Sequence, residues 1–516
     1  MAQPLQSINL VAPAFMGINS EDSPIAQDPS YAAVADNAII DKRGRIAARQ
    51  GITLLTNNGG EGTALDNTFL AKVHYYAKDG GEDECVLSAG NNKIFKGTDT
   101  LEDITPSGYT ISADDWQIFT FNDKAYFYQR GHDPLVYDGS SLKTFTDVNG
   151  EATPDILRCH AAIGAYGRVW AASSNTERQT VYWSDLLIGN DFDGGSSGSI
   201  NVGLYWPDGA DEIVGLAAHN GFLIIFGKHS IITYGNAENV LGDAQSGITL
   251  DDAISGVGCF DRNSIQHTGS DLLFMSDNGL RALGRVIEEK SLPLSDLSGN
   301  VKTDLISYIE RRQAPVATVY SPENSFYLVT FLDEGATFCF DLKGKLENGA
   351  FRVTRWPSYA IKSFERAIDG TLYVGTTGGL SIYRGYSDNN QSYRFRYYSP
   401  SLTFDDASKL KMLKKIIPTI VGADTAEIFI KWGYDFTTSF SNATVKVGNA
   451  GLNVGYFNES EFDSAAEFTG GVTTSRLRTN TTGSGSTVMI GIESNINGEA
   501  LSIQEINVQA LTGRIV

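Results

Sequence analysis

Seven stretches of the chain repeat one plan: a short apolar strand, a polar or glycine turn, and a second short strand ending near glycine. They are ECVLSAGNNKIFKG (84–97), NDKAYFYQRGHDPLVYDG (122–139), YGRVWAASSNTERQTVYWSD (166–185), NGFLIIFGKHSIITYG (220–235), SDLLFMSDNGLRALG (270–284), NSFYLVTFLDEGATFCFDLKG (324–344) and DGTLYVGTTGGLSIYRG (369–385). One mid-strand residue from each, Val86, Tyr126, Val169, Ile224, Phe274, Tyr327 and Tyr373, gives separations of 40, 43, 55, 50, 53 and 46 residues. A repeat of roughly 40 to 50 residues holding several short strands is the pattern of propeller blades. Runs such as FLIIF and SFYLVTF are apolar on both alternating faces, as suits strands covered on both sides by neighbouring blades; a sandwich with one wet face alternates more cleanly. The expected fold is all-β, a β-propeller of six to seven blades. Because the polar turn Ser276-Asp277-Asn278-Gly279 is one of a series, it is expected to be a hairpin bend and not a catalytic loop.

The texture changes at both ends. Residues 1–62 carry turn signals at Pro24 and Pro29, a basic knot DKRGRIAAR and then GITLL, and are expected to form an extended arm leading to a strand that closes the ring. The propeller is assigned to 63–396, with one inserted helix near 298–313, where Val301, Leu305, Tyr308 and Ile309 fall at helical spacing. From 397 to 516, EIFIKWGY and STVMIGIES place Ile428, Ile430 and Trp432, and Val488, Ile490 and Ile492, each set on one strand face. This is expected to be a separate β-sandwich-like domain.

The formal charge is -21, of which -18 falls in residues 1–396 and -3 in the remainder. Such a field repels phosphate and opposes tight binding of nucleic acid unless a local basic patch overrides it. The first residues lack a basic n-region and a long apolar h-region, and no apolar run approaches the ~18 residues of a membrane span. A soluble, unsecreted chain without a membrane span is expected. Cys85, Cys159, Cys259 and Cys339 stand far apart with no C-x-x-C, so reduced thiols are expected and neither a zinc site nor a disulfide framework.

Candidate chemistry is sparse. Gly194-Gly195-Ser196-Ser197-Gly198 fits the G-x-S-x-G pattern, but that serine needs a strand-to-helix turn, and the strand-like run SINVGLYW follows. Asp191 and Asp193 resemble the start of a calcium loop, yet position twelve falls on Val202 and not on a glutamate. His219 and His229 flank FLIIFG and are held roughly 20 Å apart by a straight strand. The remaining histidines, 74, 132, 160 and 267, are scattered. Adjacent acids such as Asp114-Asp115 point to opposite sides of a strand, unlike a glycosidase pair. No catalytic, cofactor-binding or metal-ligating residue is therefore assigned. Two basic clusters stand out, Lys42, Arg43, Arg45 and Arg49, and SKLKMLKKIIP. In the second, Lys409, Lys411 and Lys415 share a side if the segment is a strand. They are a candidate subunit-interface stripe; a solvated edge that discourages strand pairing and a contact with DNA phosphate are the other readings.

At residues 181–284 the order VYWSDLLIGNDF, DGADEIVGLAAHNGFLIIFGKHSIITYG, GVGCFDRNSIQHTGSDLLFMSDNGLRALG resembles the central part of the tail nozzle, or packaged-DNA stabilisation, proteins of short-tailed bacteriophages. ADNAIIDKRGRIAARQGITLL, DGTLYVGTTGGLSIYRGYSD and YYSPSLTFDDASKLKMLKKI are similar in style, although Asp405-Asp406 stands where a glycine-containing turn is expected. The resemblance implies a structural virion protein of the phage tail, made in the host cytoplasm, and no enzyme and no cofactor. It implies a homo-hexameric ring below the portal and adaptor, meeting tail fibres or tip proteins. Double-stranded DNA would be retained and then conducted without tight binding. The alternative is a virion-associated glycan-binding or glycan-cleaving propeller; the dispersed tryptophans Trp116, Trp170, Trp183, Trp206, Trp356 and Trp432 offer no aromatic cluster for it.

Overall fold

The computed structural model of the chain describes residues 5–12, 14–56, 70–79, 83–239, 247–289, 296–357, 361–422, 426–447 and 474–515. Short antiparallel meanders follow one another along the chain and stand around an axis as a β-propeller. Six are four-stranded: 72–103, 117–144, 161–201, 213–255, 316–357, and 361–383 completed by Ile52–Leu54. A seventh unit, 266–282, has three strands, and the helix Leu283–Glu289 follows where a fourth would stand. We number the units one to seven in the order 72–103, 117–144, 161–201, 213–255, 266–282, 316–357 and 361–383. All seven residues of the sequence period, Val86 through Tyr373, lie in the second strand of their blade. Those strands are sandwiched between neighbouring blades, which is why they are apolar on both faces: Phe222–Gly227 and Phe326–Phe331 are buried almost throughout.

Aromatic side chains fill the wedges between blades. Phe226 of blade four and Phe274 of blade five have ring centroids 5.0 Å apart. Trp356 of blade six stacks on Tyr383 of blade seven at 5.6 Å and 8°. The turn between Leu272–Ser276 and Gly279–Ala282 is a hairpin bend in which Ser276 pairs with Gly279. Gly279 has φ +106°, and a Cβ there would stand 2.4 Å from Ser298 Oγ, so the position requires glycine.

The ring closes by hydrogen bonds. Ile52–Leu54 adds antiparallel to Gly379–Tyr383 as the outer strand of blade seven, with Ile52 opposite Tyr383. The other N-terminal strands serve the second part of the molecule. Val34–Asp36 pairs parallel with Phe351–Pro357, the outer strand of blade six, and antiparallel with Tyr393–Tyr398. Val488–Ile496, Glu427–Tyr434 and Ser441–Lys446 continue that sheet to nine strands. Blade six thus runs without a break into the C-terminal unit, because an outer blade strand offers an unpaired edge that another strand can cover. A second sheet, built on Lys409–Gly422, Leu501–Ile515, Ile46–Ala48 and Leu5–Leu10, lies against it. Ile416, Ile420, Ile503 and Val508 share one buried cluster with Phe395, Tyr397, Ile428, Ile430, Ile490 and Ile492. At the turn where the sequence lacks a glycine, Phe404 and Asp405 themselves take φ +47° and +68°. The helix Lys302–Arg311 buries Leu305 and Ile309.

Candidate functional site

Each four-stranded blade is antiparallel, so its outer strand ends at the level where its inner strand began, and the next inner strand starts there too. The residues that precede or begin the inner strands therefore converge on one mouth of the axis. They include Lys72, Asp115, His160, Glu212, Arg262 and Lys362. A cavity of ≈ 190 Å³ lies on the axis, walled by Lys72, Gln117, Arg262, Asn263, Thr318 and Glu365 among others. A recess of ≈ 440 Å³ shares Lys72, Asn263 and Lys362 with it and adds Asp114, Asp115, Pro315 and Leu332.

Arg262 organises this mouth. Its Nη2 lies 2.9 Å from Asp115 Oδ1 and donates at 2.6 Å to the Asp115 carbonyl. Its Nη1 donates to the His160 carbonyl and lies 2.7 Å from His160 Nδ1. A guanidinium only donates, so Nδ1 accepts and the imidazole proton sits on Nε2. Burial, helped by Arg262, pushes the His160 pKa down to about 3, which keeps this ring neutral at pH 7. Burial works against the Asp115 carboxylate, but Arg262 and Lys72 outweigh it and hold the group below its ordinary range. Lys72 donates to Asn263 Oδ1, and burial brings its amine down to about 8. Asp261 caps the short helix Arg262–Ser264 and accepts from the Asn263 and Val316 amides at 2.9 and 2.8 Å. One arginine from the loop before blade five is thereby tied to the starts of blades two and three.

A second network surrounds Glu212. Arg130 approaches at 3.0 Å, Arg178 at 2.6 Å and Lys228 at 3.1 Å. Burial would raise this carboxyl, but hydrogen bonds from Arg178 and Lys228 bring it to about 2. Further along the inner strands, His74 stands 3.2 Å from Glu365 and 2.8 Å from Thr120 Oγ1. The rings of His219 and His267 face each other at 6.0 Å, so His219, which flanks FLIIFG, and His267, scattered in the sequence, are neighbours across blades four and five. At the mouth, Lys72 is the group placed to exchange a proton just above neutrality.

The remaining sequence candidates are structural. Ser196 donates to Asp185, its carbonyl accepts from Arg168 at 2.9 Å, and the strand Gly198–Asn201 follows where a nucleophile elbow needs a helix. Asp191 Oδ1 accepts from the amides of Asp193 at 3.0 Å and Gly194 at 2.8 Å, an aspartate turn. Among the described residues no group of three or more His, Cys, Asp or Glu could hold a metal ion. Arg49, read as part of a basic knot, is buried.

The lysine stripe is corrected. Lys409–Gly422 is a strand, but register shifts between Lys409 and Lys411 and between Leu413 and Lys415 break the alternation. Lys411 is fully buried, with Nζ donating to the carbonyls of Asp406 and, at 2.8 Å, Ser486. Lys409 pairs with Asp406 at 2.9 Å and Lys415 is exposed, so the three do not share one open face. The sequence reading missed the axial set of Arg262, Asp115, His160 and Lys72. Their one signal is position, each at or just before an inner strand, and that is visible only once blade order is known.

No family model and no curated protein matches the chain. Among solved structures it is similar to the extracellular domain of the putative one component system BT4673 from B. thetaiotaomicron, at 9% identity and a TM-score of 0.41, over 78% of this chain and 48% of that one. It is similar to the WD40 β-propeller domain of Doa1 at 11% identity and a TM-score of 0.36, over 64% of this chain and 96% of that one. A streptogramin B lyase is similar at 8% identity and a TM-score of 0.36, over 65% and 97%.

Proposed function

We propose that this chain is a structural, non-catalytic subunit of the tail of a short-tailed bacteriophage. In this role it is a nozzle protein that stands as a homo-hexameric ring below the portal and adaptor, retains packaged DNA and conducts it at ejection. The observation that supports the reading is that the segments carrying the resemblance fall on strands of three successive blades. VYWSD covers all but the first residue of the third strand of blade three, the next segment holds the first three strands of blade four, and the last holds all of blade five. A family likeness in sequence is expected to follow consecutive blade strands when the architecture is what is shared. In this reading DNA passes between subunits, because an axial cavity of ≈ 190 Å³ is small beside a duplex whose major groove alone is ~12 Å wide. A net charge of -21 suits a wall that must not hold phosphate.

The test is assembly of particles with and without the chain. Particles lacking it are expected to leak packaged DNA and to be repaired by the purified protein. Particles that keep their DNA without it, or specific glycan binding or cleavage by the isolated chain, would overturn the proposal, the latter in favour of a glycan-directed propeller.

A further inference from the structure

The sheet that joins blade six to the C-terminal unit carries a row of alternating charge. Arg355, Asp36, Arg396 and Glu493 are register partners on four successive strands. With strands ~4.8 Å apart, the Arg355 and Arg396 backbones lie about 10 Å from each other across Asp36. The carboxylates of this row are already satisfied. Asp36 is buried and takes Arg355 at 3.1 Å. Glu493 is buried and takes Arg394 at 2.6 Å, Lys431 at 2.8 Å and the Tyr398 hydroxyl. Arg396 is exposed between them and forms no ion pair with a described residue.

Arg355, Asp36 and Arg396 of this row line a cleft of ≈ 620 Å³ together with Arg49, Arg394 and Asp388. Glu493 and Lys431 beside it cancel one another. An excess of positive charge in a concave, largely polar cleft is unusual for a chain with a net charge of -21. It is not needed to neutralise the protein's own carboxylates there, since each already has its partner. Guanidinium groups are planar forks suited to two-point capture of carboxylate.

We propose that this cleft is a docking site for an acidic segment of a partner protein, with Arg396 receiving a carboxylate side chain and Arg355 flanking it. Charge complementarity selects the partner. A short acidic peptide brings its charge into the cleft alone, whereas a duplex carries its phosphates beyond the cleft into the field of a chain with a net charge of -21. The site does not depend on the nozzle reading, and a glycan-directed propeller could carry it equally.

The experiment is fluorescence anisotropy of a labelled hexaglutamate peptide with the full chain at low ionic strength. Binding is expected, weakened by salt and about tenfold or more by Arg396→Ala. This variant removes an exposed side chain and is checked by an unchanged melting temperature. Lys446→Ala, on the neighbouring strand Ser441–Lys446, is expected to leave affinity unchanged. Absence of binding, equal affinity in Arg396→Ala, or tighter binding of a duplex oligonucleotide that displaces the peptide would each overturn the proposal.

Discussion

Arg49 and Asp388 meet in a two-point ion pair, Nη1 to Oδ1 at 2.8 Å and Nη2 to Oδ2 at 2.5 Å, with the Arg49 side chain 1% exposed. Asp388 Oδ1 also accepts from the Ile52 amide at 3.1 Å, and the Arg49 guanidinium lies 4.2 Å from the centre of the Tyr393 ring. The pair therefore ties the segment before the closing strand to the loop that follows blade seven. Removing one partner of a buried pair leaves the other charge without compensation. Arg49→Ala is expected to cost about 3–5 kcal/mol, read as a lower denaturant midpoint. A midpoint within error of the parent's would show that the pair does not hold the ring closed.

The hairpin turn of blade five makes a sharper distinction between neighbours. Gly279→Val forces a β-branched residue to φ +106° and against Ser298 Oγ, so a loss of several degrees in melting temperature is expected. Asn278 is not among the residues at positive φ, and Asn278→Ala should change stability far less. Equal losses at the two positions would contradict the strained-turn account.

Lys72 gives a pH signature. Its amine titrates near 8 in the folded chain and near 10.4 when unfolded. Between those values the unfolded state binds more protons, so this group's contribution makes stability rise with pH and is least favourable below about 8. The difference in unfolding free energy between parent and Lys72→Met should climb by about 2 kcal/mol from pH 8 to pH 10.4, after allowance for partial solvent screening. A pH-independent difference would rule out a depressed amine.

The lysines of the long strand Lys409–Gly422 are expected to separate. Lys411→Glu places a carboxylate in a buried site against the carbonyls of Asp406 and Ser486 and should cost about 3–5 kcal/mol. Lys415→Glu, at an exposed position, should stay within about 0.5 kcal/mol, which makes it the variant suited to testing incorporation into particles. Thermal melting of the two single variants checks this directly.

Thiol reactivity should follow burial. All four cysteines are free, and only Cys85 is not fully buried. Burial raises the pKa of Cys259 and Cys339 to about 12 and that of Cys159 further. An aromatic disulfide reagent is expected to modify Cys85 first, and the other three only on unfolding, while reductant leaves the melting temperature unchanged. Rapid modification of more than one thiol in the native protein would contradict the packing around the blades.

The repeat is legible in the amino-acid sequence. Val86, Tyr126, Val169, Ile224, Phe274, Tyr327 and Tyr373 mark the second strand of each blade because a strand covered on both faces must be apolar on both, and that demand is local. The inward faces of Glu427–Tyr434 and Val488–Ile496 were legible for the same reason, through strict alternation. The placement of the charges depends on contacts between distant segments. Arg49 reads as part of an exposed basic knot, yet it is buried because its partner Asp388 arrives 339 residues later. Lys411 reads as part of a stripe, yet register shifts set by pairing with Leu501–Ile515 turn it inward. Arg262, Asp115 and His160 converge only when the ring closes, and the arginines of YRFRYY gain their carboxylate neighbours from strands at both ends of the chain. Apolar periodicity follows from burial along a single strand, whereas a charge acquires its partner only through contacts between segments distant in sequence.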